Sequence, residues 1–278
     1  MRIDAHQHFW SLERGDYHWL TPAFDSLYRD FGPGDLQPLL ARNGIAGTVA
    51  VQAAATVAET EYLLSLANVH PWILGVVGWI DIDAPDAASQ IDVLAQNPKV
   101  VGVRPMLQDL AEVDWILHPR RAPALKALSE TGLVFDALIK PTHLATVETL
   151  GARYPKLSIV IDHVAKPHIG DAKTFFAWAR GISALADHPQ ISCKLSGLLT
   201  EAPVGADADD LKPYVDILLD RFGADRLIWG SDWPVLALAS DYDGWSQMTD
   251  DLLTGLTDEA VAAIRGGNAR RIYNLDVE

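Results

Sequence analysis

The 278-residue chain has one cysteine, Cys193. That excludes an internal disulfide and makes a reducing compartment the expected setting. No apolar run approaches the ~20 residues that span a bilayer. The opening Met1-Arg2-Ile3-Asp4-Ala5-His6 also lacks the apolar stretch of a signal peptide. A cytoplasmic protein without a membrane partner is the expectation. Positive charge is scarce: 22 Lys+Arg against 37 Asp+Glu leave a formal charge of −15, and no basic patch offsets it. Such a chain repels phosphate backbones, so a nucleic-acid partner is not expected. Also missing are a G-x-G-x-x-G turn after the first strand, a G-x-S-x-G elbow and a P-loop.

Apolar residues are plentiful, at 49% against 21% charged, which excludes general disorder. Eight short β-branched runs stand out: Arg2 to His6, Gly47 to Gln52, Ile73 to Trp79, Val100 to Arg104, Leu133 to Leu138, Leu157 to Asp162, Gln190 to Leu195 and Arg226 to Gly230. Between them lie stretches of helical periodicity, as in Glu59 to Val69, Ala122 to Glu130 and Ala208 to Phe222, with Gly132 and Gly223 as stop signals. Strict βα alternation predicts a parallel sheet, and eight units predict a closed (β/α)8 TIM barrel over 1–278 as one domain rather than an open doubly wound sheet. Phe9 to Gly34 interrupts the rhythm. This long aromatic segment leaves the first strand and is expected over the barrel mouth, either as a satellite hydrophobic cluster or as a lid that encloses substrate.

Barrel chemistry sits at the C-terminal ends of the strands. The first strand ends His6-Gln7-His8, and period-two alternation puts both imidazoles on one side. The sixth ends Asp162-His163 and the eighth runs into Ser231-Asp232-Trp233. Burying His163 or Asp232 without partners is unfavourable, whereas convergence with His6 and His8 supplies them. Asp4 and Asp162 read as structural loop caps. Arg104 with Gln108 closes the fourth strand and Lys194 the seventh. They are read as contacts for an oxygen-rich or anionic ligand. The competing structural reading is a salt bridge to an internal carboxylate such as Asp136.

These residues resemble the amidohydrolase superfamily, and within it the amidohydrolase-2 branch of sugar-lactone hydrolases such as L-fuconolactonase and L-rhamnonolactonase. The matching pieces are Ile3-Asp4-Ala5-His6-Gln7-His8-Phe9-Trp10, Gly102-Val103-Arg104-Pro105-Met106-Leu107-Gln108, Asp162-His163-Val164-Ala165-Lys166-Pro167, Cys193-Lys194-Leu195-Ser196-Gly197, Trp229-Gly230-Ser231-Asp232-Trp233-Pro234 and Gly267-Asn268-Ala269-Arg270-Arg271-Ile272-Tyr273. They run from end to end of the chain. One departure matters: metal-dependent members carry a histidine at the end of the fifth strand, where this chain reads Val134-Phe135-Asp136-Ala137.

The resemblance implies opening of an aldonolactone such as L-fuconolactone or L-rhamnonolactone. Asp232 would act as general base, with His6, His8 and His163 orienting water and polarising the carbonyl. Arg104, Gln108, Lys194, Trp10 and Trp233 would hold the sugar, and Trp19 would help to shape its pocket. Zinc on His6, His8 and Asp232 with water as fourth ligand satisfies a catalytic coordination count. The branch includes members that work without metal, so zinc is admissible but dispensable, and no organic cofactor is expected. Cys193 and Ser196 are assigned to packing and a turn. The alternatives are a zinc-dependent decarboxylase of the same superfamily and a non-catalytic ligand-binding barrel; a nuclease of the superfamily sits badly with the charge.

Overall fold

A computed structural model describes residues 1–276. Its eight strands are β1 (Arg2–Gln7), β2 (Ile45–Val51), β3 (Ile73–Gly78), β4 (Val100–Val103), β5 (Val134–Ala137), β6 (Ile159–Ile161), β7 (Ile191–Leu195) and β8 (Leu227–Trp229). All neighbours pair in parallel and in sequence order. The ring closes through the segment after β8: Asp232 N–H donates to the His6 carbonyl at 2.8 Å and His8 N–H to the Trp233 carbonyl at 2.7 Å. Each strand is followed by a helix: α1 (Pro33–Arg42), α2 (Val57–Val69), α3 (Ala87–Leu94), α4 (Ala122–Thr131), α5 (Leu144–Arg153), α6 (Ala172–Ala186), α7 (Ala208–Phe222) and α8 (Tyr242–Leu252). This is the (β/α)8 barrel that the alternation predicts. No helix among the described residues is long and apolar enough to cross a membrane.

Local sequence chemistry sets the helix ends. Thr56, Asp171, Asp207 and Asp241 accept backbone N–H groups in the first turns of α2, α6, α7 and α8. Gly132 ends α4 at φ 79°, a left-handed conformation that L side chains rarely adopt.

A parallel barrel buries both strand faces, so alternate residues supply two cores. Val49, Val51, Val77, Val101, Val134, Val160 and Ile228 form an inner cluster with Ala269, Tyr273 and Leu275 from the C-terminal segment. Ala50, Val76, Val103, Phe135 and Ile159 belong to the larger cluster beneath the helices. The inward rows turn polar toward the strand ends: two residues beyond Val134 and Val160 stand Asp136 and Asp162, and two beyond Ser192 stands Lys194, all fully buried. The barrel thus has an apolar floor and an ionic upper layer.

Candidate active site

Strict alternation along β1 from Ile3 and Ala5, both members of the inner cluster, would turn Gln7 inward. Instead the pairing register between β1 and β2 shifts between Asp4 and Gln7, and His6 and His8 both reach the interior. Such irregularities commonly re-aim side chains beside a site. Asp4 secures the bend. It accepts from His6 N–H at 3.1 Å, Ser231 N–H at 2.9 Å, Ser231 Oγ at 2.6 Å and the Tyr242 hydroxyl at 2.8 Å. Burial pushes its pKa up to about 6 although these donors oppose the rise. Asp4 therefore joins β1 to the β8 segment, a larger task than the loop cap expected of it.

Four groups converge here. Asp232 Oδ1 lies 3.3 Å from His8 Nε2 and 3.7 Å from both His6 Nε2 and His163 Nε2, and the Nε2 atoms of His6 and His8 are 3.3 Å apart. Their opposite edges are held: His8 Nδ1 donates to the Val51 carbonyl at 2.7 Å, His163 Nδ1 meets Ser196 Oγ at 3.0 Å, and His6 Nδ1 lies 3.3 Å from Asp162 Oδ1 and 3.1 Å from Lys194 Nζ. Burial favours a protonated Asp232, but the imidazoles of His163, His8 and His6 outweigh it and hold the carboxyl below its ordinary range. His163 is pushed down to about 4 by burial, against the pull of Asp232 and Asp162. For His6, burial and the Lys194 ammonium together keep the ring neutral, so its 3.3 Å contact with Asp162 is no ion pair.

Two glycines make room for this cluster. A Cβ on Gly230 would lie 2.6 Å from His6 Cβ, and one on Gly197, at φ +63°, 2.5 Å from His163 Nδ1. The segment that carries His163 is itself unusual: His163, Val164, Ala165 and Lys166 all have φ between 50° and 60°. Consecutive left-handed residues cost roughly 1–2 kcal/mol each. The Lys166 N–H bond to the His163 carbonyl (2.7 Å) and the Trp178 indole bond to the Val164 carbonyl (2.9 Å) hold the turn. Such strain is typical of functional segments.

Beneath His6 the polar layer is paired. Lys194 Nζ lies 2.5 Å from Asp136 Oδ2, 3.0 Å from Asp162 Oδ1 and 3.1 Å from His6 Nδ1. Tyr273 donates to Asp136 at 2.8 Å. Arg104 contacts Asp162 at 3.3 Å and His6 Nε2 at 3.4 Å, and it donates to the Gln52 carbonyl. Burial outweighs the ammonium and pushes Asp136 up to about 6, whereas Asp162, also penalised by burial, is drawn well below the ordinary range by Lys194, His6 and Arg104.

A cavity of about 190 Å³ opens over the cluster, lined by His8, Trp19, Arg104, Gln108, His163 and Asp232, together with Ala53, Met106, Asp109, Leu138, Lys166 and Val235. Three expected ligand contacts do not line it. Lys194 is fully buried in its ion pairs. Trp10 is buried, donates its indole N–H to the Arg29 carbonyl and packs edge-to-face with Trp19 and Phe31. Trp233 packs edge-on to Phe9 and Phe31. The loop from Phe9 to Gly34 is thus an aromatic cluster that sends one side chain, Trp19, to the cavity, fixed by its indole bond to the Ala53 carbonyl at 2.8 Å. Asp162, read from the sequence as a loop cap, pairs instead with Lys194 and Arg104, and Lys166, quoted there only within the motif around His163, lines the cavity.

The donor set fits a metal. Tetrahedral zinc with bonds of ~2.0–2.1 Å separates its ligand atoms by ~3.4 Å. The mutual distances of His6 Nε2, His8 Nε2 and Asp232 Oδ1 are 3.3, 3.3 and 3.7 Å. Nδ1 of His8 donates to a carbonyl, which leaves Nε2 as the nitrogen that would bind the metal, the arrangement metal-binding histidines use.

Comparison with known proteins follows the geometry. The chain is 48% identical to an L-fucono-1,5-lactonase of Burkholderia ambifaria, over 99% of this chain and 96% of that protein. It is 36% identical to an L-fucono-1,5-lactonase of Burkholderia multivorans, over 99% and 96%. A crystal structure of a Burkholderia multivorans amidohydrolase with bound zinc superposes with a TM-score of 0.94 at 36% identity, covering 99% of this chain and 100% of that one. Residues 3–275 match the family described as Amidohydrolase, and the chain belongs to that family.

Proposed function

We propose that this protein hydrolyses a sugar-acid 1,5-lactone of the L-fuconolactone type to its aldonic acid. The observation that carries the reading is the convergence of His8, His163 and Asp232 on one small cavity whose rim holds Arg104 and Gln108. The 48% identity to an L-fucono-1,5-lactonase points to the same substrate class. Asp232, ionised and walled by imidazoles, takes a proton from water as the water oxygen bonds to the lactone carbonyl carbon. His8 Nε2 accepts from that water, and the Nε2–H of His163, whose Nδ1 faces Ser196 Oγ, steadies the oxyanion. The ring C–O bond then breaks, and the tethered alkoxide recovers the proton from Asp232. Arg104 and Gln108 hold ring hydroxyls; Gln108 Oε1 is buried without a partner among the described residues, an acceptor suited to a hydroxyl. Lys194 acts from below by fixing His6.

A zinc ion on His6, His8 and Asp232 would supply Lewis-acid polarisation and a more acidic water. We take it to be dispensable, since the carboxylate and imidazoles already provide a base and oxyanion contacts. The test is a pH-indicator screen over aldono-1,4- and 1,5-lactones with and without chelator, metal content being measured alongside. Turnover of a 1,5-lactone that survives chelation is expected. Activity tracking zinc one for one would make the metal essential, and carbon dioxide release from an aromatic carboxylate without lactone turnover would replace the reading altogether.

A further inference from the structure

The reaction cavity has a neighbour. A second recess, of about 490 Å³, shares Gln108 and Lys166 with it and continues along Lys140, His168, Glu201 and Trp178. Its charge runs against that of the molecule. Two lysines face a single carboxylate in a chain of net charge −15. Lys166 pairs with Glu201 at 3.5 Å, whereas Lys140 is exposed and makes no ion pair among the described residues.

The recess is also built rather than incidental. Lys166 ends the left-handed turn that begins at His163, so the strain that aims the imidazole also sets the ammonium at the junction of the two spaces. Trp178 ties the turn to α6 and forms part of the recess wall. At the same junction stands Gln108, whose buried Oε1 has no partner among the described residues.

The chemistry of the proposed reaction calls for such a place. A neutral lactone enters and a carboxylate forms in a cavity lined by Asp109 and Asp232. Asp232 must be ionised again for the next cycle, and two anions in one small space repel strongly. Arg104 gives little relief, because its charge is already paired with Asp162 at 3.3 Å.

We propose that the recess lined by Lys140 and Lys166 is an anion subsite that receives the carboxylate of the opened polyhydroxy acid, drawing product away from Asp232. The proposal rests on the lactonase reading, so its test separates the two. Lys140→Met and Lys140→Glu lie outside the reaction cavity and leave its lining intact. Inhibition by L-fuconate is measured in the lactone assay. Calorimetric titration of L-fuconate and of its uncharged amide gives binding without turnover.

Loss of one partly exposed charge contact weakens L-fuconate inhibition about fivefold in Lys140→Met, and charge reversal weakens it further, while the lactone KM and amide binding stay within about twofold. High salt erases the difference between wild type and variants. L-fuconate inhibition indifferent to the charge at position 140 overturns the subsite, as does an equal loss of lactone and amide affinity. If no lactone is turned over but L-fuconate still binds in a Lys140-dependent way, the subsite stands and the lactonase reading falls.

Discussion

Asp232→Asn tests the proposed base most directly, because the structure separates chemistry from folding at this residue. Asp232 has φ 59°, and asparagine is among the few residues that adopt left-handed backbone readily, so the turn after β8 survives the exchange. Its backbone N–H bond to the His6 carbonyl, which helps to close the barrel, is unaffected. The side chain meets His8 Nε2 at 3.3 Å, and an amide there costs about 1.5–3 kcal/mol of stability for the lost charged interaction. The rate should suffer far more. A positioned general base contributes about 10²–10⁴-fold, or ~3–5 kcal/mol of barrier. Initial rates on L-fucono-1,5-lactone, followed by indicator acidification, are compared with thermal melts and zinc content of the same preparations. A kcat within about tenfold of wild type in a folded variant of unchanged metal content would remove Asp232 from the base role.

Three further perturbations probe the surroundings. Lys194→Met strands Asp136 and Asp162 inside the barrel; loss of one partner of a buried ionic set costs ~3–5 kcal/mol, so thermal melting should fall sharply, and a variant that changes only KM would restore Lys194 as a ligand contact. Gly197→Ala drives a methyl group into His163 at a left-handed position, which costs roughly 1–3 kcal/mol for overpacking; kcat should drop, and wild-type kinetics would show that the imidazole need not stay where it is. Glu59 accepts from the N–H groups of Ala53 and Ala54 beside the cavity, and burial pushes its pKa up to about 7 despite those bonds. Because the folded state holds this proton more tightly than the unfolded chain, Glu59 contributes stability that is complete below about pH 4.5 and is lost as pH rises through about 7. The difference in melting temperature between wild type and Glu59→Gln should therefore move against the wild type as pH goes from 5 to 8, and a constant difference would refute the assignment.

The barrel was legible because its signals are local. β-branched runs separated by amphipathic stretches specify βα units, and eight of them close a ring whose strand ends share one rim. That topology alone gathers His6, His8, His163 and Asp232 from positions up to 226 residues apart. Which way a side chain then faces is a different matter, since neighbours across the ring decide it. The Asp136 salt bridge weighed from the sequence is the one Lys194 makes. The sequence could not, however, announce the register shift that turns His6 and His8 inward together, that Arg29 would take the Trp10 indole, or that Phe9 and Phe31 would enclose Trp233. A buried ammonium or indole N–H needs a partner wherever it lies, and the partner's identity exists only once distant strands and loops are brought together.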